Sequence, residues 1–207
     1  ARHGIPWAAP GATLIMIIGI IFGGPDSVHA LTIRVPADFP TIQAGLDAAS
    51  SGDTVLVAAG TYTGSGNRDL DFTGKDLVLL SETGAETTII DAEGTGEDPH
   101  AGLQFAQGES PAARVVGFTI TEAYGGGVTC TNGSSPTFDH CVFTRCDGGD
   151  GGGVEISDAS PVFTDCTFSH NTPATGGGVN VSASKSTFLR CTFAQNATDS
   201  YGGALEG

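Results

Sequence analysis

Hydrophobic and polar residues alternate in short pieces along most of this chain, not in long helical stripes. In Val154-Glu155-Ile156, Val179-Asn180-Val181 and Cys166-Thr167-Phe168 the outer two residues face one way and the middle one the other, the period of a strand. The pieces recur. Phe118, Phe143, Phe168 and Phe193 lie 25 apart, as do Cys141, Cys166 and Cys191, and Phe138, Phe163 and Phe188. Gly151-Gly152-Gly153-Val154 returns as Gly176-Gly177-Gly178-Val179 and, shortened, as Gly202-Gly203-Ala204-Leu205. Self-similarity at such a period marks a solenoid. Because the unit consists of short strands, the pattern predicts an all-β fold: a single-stranded right-handed parallel β-helix, three short strands per coil.

Before the regular array the pattern is looser. Leu31 to Val35 alternates and stops at Pro36, a first strand. Thr41 to Ala49 is the one helix, with Ile42, Leu46 and Ala49 on its apolar face and Gln43 and Asp47 outward. A solenoid's first coil would otherwise expose its core and strand edges, so this helix reads as an N-terminal cap. Strands follow at 54–58, 60–62, 76–80, 87–91, 103–105 and 115–121, with an acidic, Gly-rich loop at 92–102 and a second loop at 108–113. Asn171 and Asn196 each follow an inward Phe by three residues. Their amides can satisfy backbone groups at a bend, which predicts an asparagine ladder starting at Asn171, since Cys146 holds the equivalent place one coil earlier.

Charge and cysteine usage narrow the setting. With 23 acids against 8 bases the net charge is -15, which excludes nucleic acid as a partner because little here would neutralise phosphates. Residues 1–30 read as a signal peptide: Arg2 and His3, an apolar run from Leu14 to Phe22, and small residues at Val28-His29-Ala30. The run is short for a bilayer span, so no stable membrane span is expected in the mature chain, which would be secreted or sit at the outer cell surface. The β-helix occupies 31–207 and stops inside a repeat, so a further C-terminal part is expected. In-register cysteines on adjacent coils lie within disulfide range, about 4.8 Å, but three in a row cannot all pair. Buried, reduced thiols are expected.

The opening coil Thr41-Ile42-Gln43-Ala44-Gly45-Leu46-Asp47-Ala48-Ala49, Gly52-Asp53-Thr54-Val55-Leu56-Val57 and Gly60-Thr61-Tyr62 resembles the N-terminal cap of pectate-lyase-like right-handed parallel β-helix proteins. Phe168-Ser169-His170-Asn171 with Gly177-Gly178-Val179, and Phe193-Ala194-Gln195-Asn196 with Gly202-Gly203-Ala204-Leu205, resemble the motifs of chlamydial polymorphic outer-membrane proteins, which are surface adhesins. The first resemblance implies the fold. The second implies an adhesin-like or structural surface module that meets an extracellular polysaccharide or a host or neighbouring cell.

The first resemblance also brings carbohydrate-active enzymes into view, a polysaccharide lyase or glycoside hydrolase. His140, Asp165 and Arg190 stack on one outward line and are the catalytic candidates; Arg145, His170 and Gln195 form another line. No second carboxylate is expected beside Asp165, whereas a glycosidase needs two. Glu155 aligns with Asn180, not with another acid. For metal, Asp91, Glu93, Glu97 and Asp98 crowd one loop and Asp147 and Asp150 another, oxygen ligands of the kind calcium takes. No cofactor is required by any motif.

Overall fold

The computed structural model describes residues 30–148, 151–172, 176–197 and 205–206; the proposed signal peptide and Asp150 lie outside them. The chain enters through β1 (Thr32–Val35) and α1 (Ile42–Ala48) and then winds through six coils of three strands. These are β2 (Thr54–Val57), β3 (Gly60–Tyr62) and β4 (Leu70–Asp71); β5 (Val78–Ser81), β6 (Thr88–Asp91) and β7 (Leu103–Phe105); β8 (Arg114–Val116), β9 (Thr119–Thr121) and β10 (Val128–Cys130). The regular array continues with β11 (Thr137–Asp139), β12 (Val142–Thr144) and β13 (Val154–Ser157); β14 (Val162–Thr164), β15 (Thr167–Ser169) and β16 (Val179–Ser182); β17 (Thr187–Leu189), β18 (Thr192–Ala194) and β19 (Leu205–Glu206). The first, second and third strands of each coil stack into three parallel sheets, A, B and C, and β1 extends sheet A at its N-terminal edge.

The cap forms as its sequence suggests. Thr41 is the N-cap, its side chain accepting from the Ala44 amide at 3.3 Å, while the Asn67 side chain accepts from the Ile42 amide at 3.0 Å. The helix has no basic residue in its last turn. Lys75 supplies that charge from the first coil, its ammonium 2.6 Å from the Leu46 carbonyl and 3.1 Å from that of Ala49. Ile42 and Leu46 are fully buried, and Gly45 packs so tightly that a Cβ would stand 3.0 Å from Val35 and 3.1 Å from Val55.

In the later coils the register is strict. Phe138, Phe163 and Phe188 pair across sheet A, and Phe143, Phe168 and Phe193 across sheet B. Each column stacks nearly face to face, with centroids 4.8–5.0 Å apart, and the columns meet edge to face, as at Phe143 and Phe163, 6.0 Å apart. Phe118 does not belong to the ladder despite its spacing. The preceding coil is two residues shorter, so Phe143 pairs with Ile120 and Phe118 sits beside Cys141. Strand-to-strand pairing, not sequence spacing, sets the column.

The corners explain which residues face out. His140, Asp165 and Arg190 follow the strands of sheet A, and Glu122, Arg145, His170 and Gln195 those of sheet B. All seven have positive φ, between 51° and 57°. They are therefore bend residues. One left-handed residue turns the chain and points its side chain to water; its successor then faces inward. Cys141, Cys166 and Cys191 are the inward successors at the first corner, and Cys146, Asn171 and Asn196 at the second.

The asparagine ladder is present. Asn171 is fully buried; its Oδ1 accepts from the Cys146 amide at 2.9 Å and its Nδ2 donates to the Phe143 carbonyl at 3.1 Å. Asn196 repeats this one coil on, accepting from the Asn171 amide and donating to the Phe168 carbonyl. The Gly triplets have a steric cause. A Cβ on Gly127 would lie 2.5 Å from the Gly153 carbonyl oxygen, and one on Gly153 would lie 2.3 Å from that of Gly178, so the backbones of adjacent coils leave no room for a side chain.

Candidate functional site

Two corners carry the chemistry-bearing side chains. At the corner between sheets A and B, the Arg190 guanidinium grips Asp165 with two bonds of 2.6 and 2.7 Å. His140 Nδ1 lies 2.7 Å from Asp139, and its Nε2 lies 3.9 Å from Asp165. Arg114 reaches Asp139 at 3.6 Å. The three catalytic candidates are thus brought into one line, and Asp139, which sequence reasoning missed, supplies the second carboxylate near Asp165. It is the chain neighbour of His140, whereas the 25-residue repeat points only to residues one coil away. The Arg190 guanidinium beside Asp165 holds its carboxyl below the usual range. Asp139, His140 and Asp165 offer ligand atoms within 4.8 Å of one another, enough for a cation, but Arg190 and Arg114 already neutralise the carboxylates.

At the corner between sheets B and C lies a cleft of about 320 Å³, lined by Gly94, Glu122, Ala123, Tyr124, Arg145, Asp147, His170 and Thr172. The lining is drawn from consecutive coils and pinned by backbone pairing: Gly94 N–H donates to the Glu122 carbonyl, Asp147 to Ala123 and Thr172 to Cys146. Arg145 forms an ion pair with Glu122. Tyr124 keeps 41% of its surface exposed, unusual for a ring in a fold that buries nearly all its aromatics.

The acidic loop 92–102 contributes Gly94 to the cleft. Its base is held by His100, whose Nδ1 lies 2.6 Å from Asp69 and Nε2 3.2 Å from Asp98. The Gly125 amide donates to the His100 carbonyl, and Gly96 lies so close to the Tyr124 ring that a Cβ there would stand 3.3 Å from its hydroxyl. The calcium candidates of this loop serve separate ends. Asp91 accepts from the Glu93 amide, Glu93 accepts from Gly64 and pairs with Arg68, and Asp98 faces His100. Among the described residues Asp91, Glu93, Glu97 and Asp98 do not gather into a group of metal ligands; Asp147 lines the cleft instead.

All five cysteines are free thiols, four of them buried and Cys191 half-buried. Burial pushes the Cys146 thiol up to about 12, and the Cys141 thiol next to Cys166, together with burial, pushes Cys166 up. Such thiols stay protonated and inert.

The sequence profile described as a right handed beta helix region matches residues 83–205. This chain belongs to that family. No curated protein matches it. Among solved structures, a pectin methylesterase from carrot superposes on this β-helix with a TM-score of 0.46 and 14% identity, covering 80% of the chain. The matched part spans 65% of the carrot enzyme. Among its described residues the β-helix has no helix long and apolar enough to cross a membrane.

Proposed function

We propose that this β-helix is an exported binding module, adhesin-like or structural, whose cleft between sheets B and C holds a segment of extracellular polysaccharide at the outer cell surface. The cleft carries the reading: an exposed aromatic ring beside hydrogen-bonding groups of both polarities, all fixed on paired coils, suits a sugar's apolar face and its hydroxyls. The pattern of residues 1–30 supports export, and the repeats' resemblance to chlamydial surface proteins supports the adhesin-like role. Isothermal titration against a panel of oligosaccharides tests the proposal. Tyr124→Ala is expected to weaken binding at least about tenfold, a loss of about 1.4 kcal/mol, with an unchanged melting curve. Failure of every saccharide to bind would reject the proposal.

A second reading, a polysaccharide lyase or hydrolase, rests on the Asp139–His140 contact, a base oriented by a carboxylate. New ultraviolet absorbance in incubated polysaccharide would support a lyase and new reducing ends a hydrolase. Either signal must disappear in His140→Ala.

A further inference from the structure

The cleft between sheets B and C is made by repetition. The chain leaves sheet B through one left-handed residue per coil, Glu122, Arg145, His170 and Gln195, and all four are exposed. Thr121 pairs with Thr144, Thr144 with Ser169 and Ser169 with Ala194, so the four residues that follow stand one above another along the solenoid axis. Two positions further on, Tyr124, Asp147 and Thr172 form a second row beside the first. The Asp147 and Thr172 amides tie it down, donating to the Ala123 and Cys146 carbonyls one coil back. The lining therefore takes the same two positions from three successive coils, completed by Gly94 and Ala123. Adjacent coils lie 4.8–5.0 Å apart at their stacked Phe rings, and the polar groups of the row recur at that pitch.

From this repetition we infer that the ligand is a linear, extended glycan of the β-1,4-linked class, lying along the solenoid axis with one sugar per coil and reaching a fourth subsite at Gln195, one coil beyond the cleft. The inference rests on the binding reading above and assigns its ligand class. In a β-1,4-linked chain both linkage bonds of each sugar are equatorial, so the sugars stay in line and advance by close to one coil spacing each. An α-1,4-linked glucan curls, and its successive sugars leave the row. The first sugar lies against the exposed Tyr124 ring. Glu122 and Arg145 pair with each other but keep capacity for its hydroxyls, since a carboxylate accepts about four hydrogen bonds and a guanidinium donates five. His170 and Gln195 carry groups that both donate and accept, one coil apart. Backbone pairing in three sheets holds the row in place before a ligand arrives, so little ordering cost falls on binding.

Titrations of the full chain with β-1,4-linked gluco-, xylo- and manno-oligosaccharides of two to six sugars, and with malto-oligosaccharides of the same lengths, test this. At least one β-1,4 series is expected to bind. Each added sugar up to the fourth should tighten it about three- to tenfold, and the fifth and sixth should add little. Tyr124→Ala should weaken every length. His170→Ala should weaken the trimer and longer chains, and Gln195→Ala only the tetramer and longer, each with an unchanged melting curve. If the dimer binds as tightly as the hexamer, or a malto series as tightly as the best β-1,4 series, the axial track is wrong while the binding role stands. If Gln195→Ala leaves the tetramer unchanged, the fourth subsite falls. If no saccharide of either kind binds, the binding role itself falls and this inference with it.

Discussion

The coils from β11 onward and the three before them solve the same packing problem differently. From Thr137 the chain advances 25 residues per coil in sheet A, through Val162 to Thr187, and the inward columns stack like on like: Phe on Phe, Cys on Cys and, from Asn171, Asn on Asn. Earlier, sheet A steps from Thr54 to Val78, then to Arg114, then to Thr137, intervals of 24, 36 and 23. There the core mixes Val, Leu and Ile with Phe72, Phe105 and Phe118, without face-to-face stacking of Phe72 on Phe105, and the bends are tied by single polar anchors. Glu109, only 1% exposed, accepts from the Gly74 and Gln107 amides and from the Ser134 hydroxyl, joining separate coils. The regular coils draw stability from like stacked on like. The irregular ones depend on particular hydrogen bonds, and their loops create concavity. The cleft lies where the two meet: Gly94 and Tyr124 come from the irregular side, Arg145 and His170 from the regular column.

The comparison breaks most readily in the Phe ladder. Phe168 stacks 5.0 Å from Phe143 and 4.8 Å from Phe193, so Phe168→Ala should cost about 3–5 kcal/mol in denaturant melts and damage two coil interfaces at once. A loss below about 1 kcal/mol would mean that stacked repetition is not what stabilises the regular half.

A smaller effect separates the two kinds of anchor. Asn171→Ala strands the Cys146 amide and the Phe143 carbonyl, and Glu109→Ala strands two amides and a hydroxyl. Each should cost about 1–3 kcal/mol by the same melts. Hydrogen exchange should localise the Asn171 loss to neighbouring coils of the array and the Glu109 loss to the loops at Gly74 and Ser134. Identical exchange maps would erase the distinction.

Thr167→Ala, adjacent to Phe168 but facing outward, should stay within about 0.5 kcal/mol of the parent. A loss at Thr167 equal to that at Phe168 would show the inward and outward faces to be reversed.

Acid should act on both halves and most gently of all. Asp53, which accepts from the Leu31 amide at 2.7 Å and the Ser50 amide at 2.8 Å, and Asp165, held by Arg190, both have carboxyls below their ordinary range. Their folded values therefore lie under the unfolded value of about 3.9. The stability they add is present above that value and lost as the pH falls through the folded one. Asp53→Asn should flatten the acid limb of the stability curve in high salt as well as low, whereas Asp165→Asn should do so only in low salt, since its partner is an exposed guanidinium.

Much of this was legible in the residues themselves. A 25-residue period of alternating pieces determines a β-solenoid, because an inward Phe must stack on its own kind one coil away, and the amphipathic 41–49 segment determines the cap. The outward line His140, Asp165 and Arg190 could also be read from the repeat, since equal spacing puts equivalent residues one above another. Other features exist only in the folded chain. The register slip that removes Phe118 from its ladder depends on where Thr119 pairs with Val142. The left-handed bends depend on how three sheets close around one core. The cleft in which Glu122 holds Arg145 next to Tyr124 joins a repeating column to a loop of irregular length. Periodicity specifies neighbours one coil away but says nothing of how far a loop of 36 rather than 25 residues per coil reaches over the surface, and that distance decided where the cleft lies.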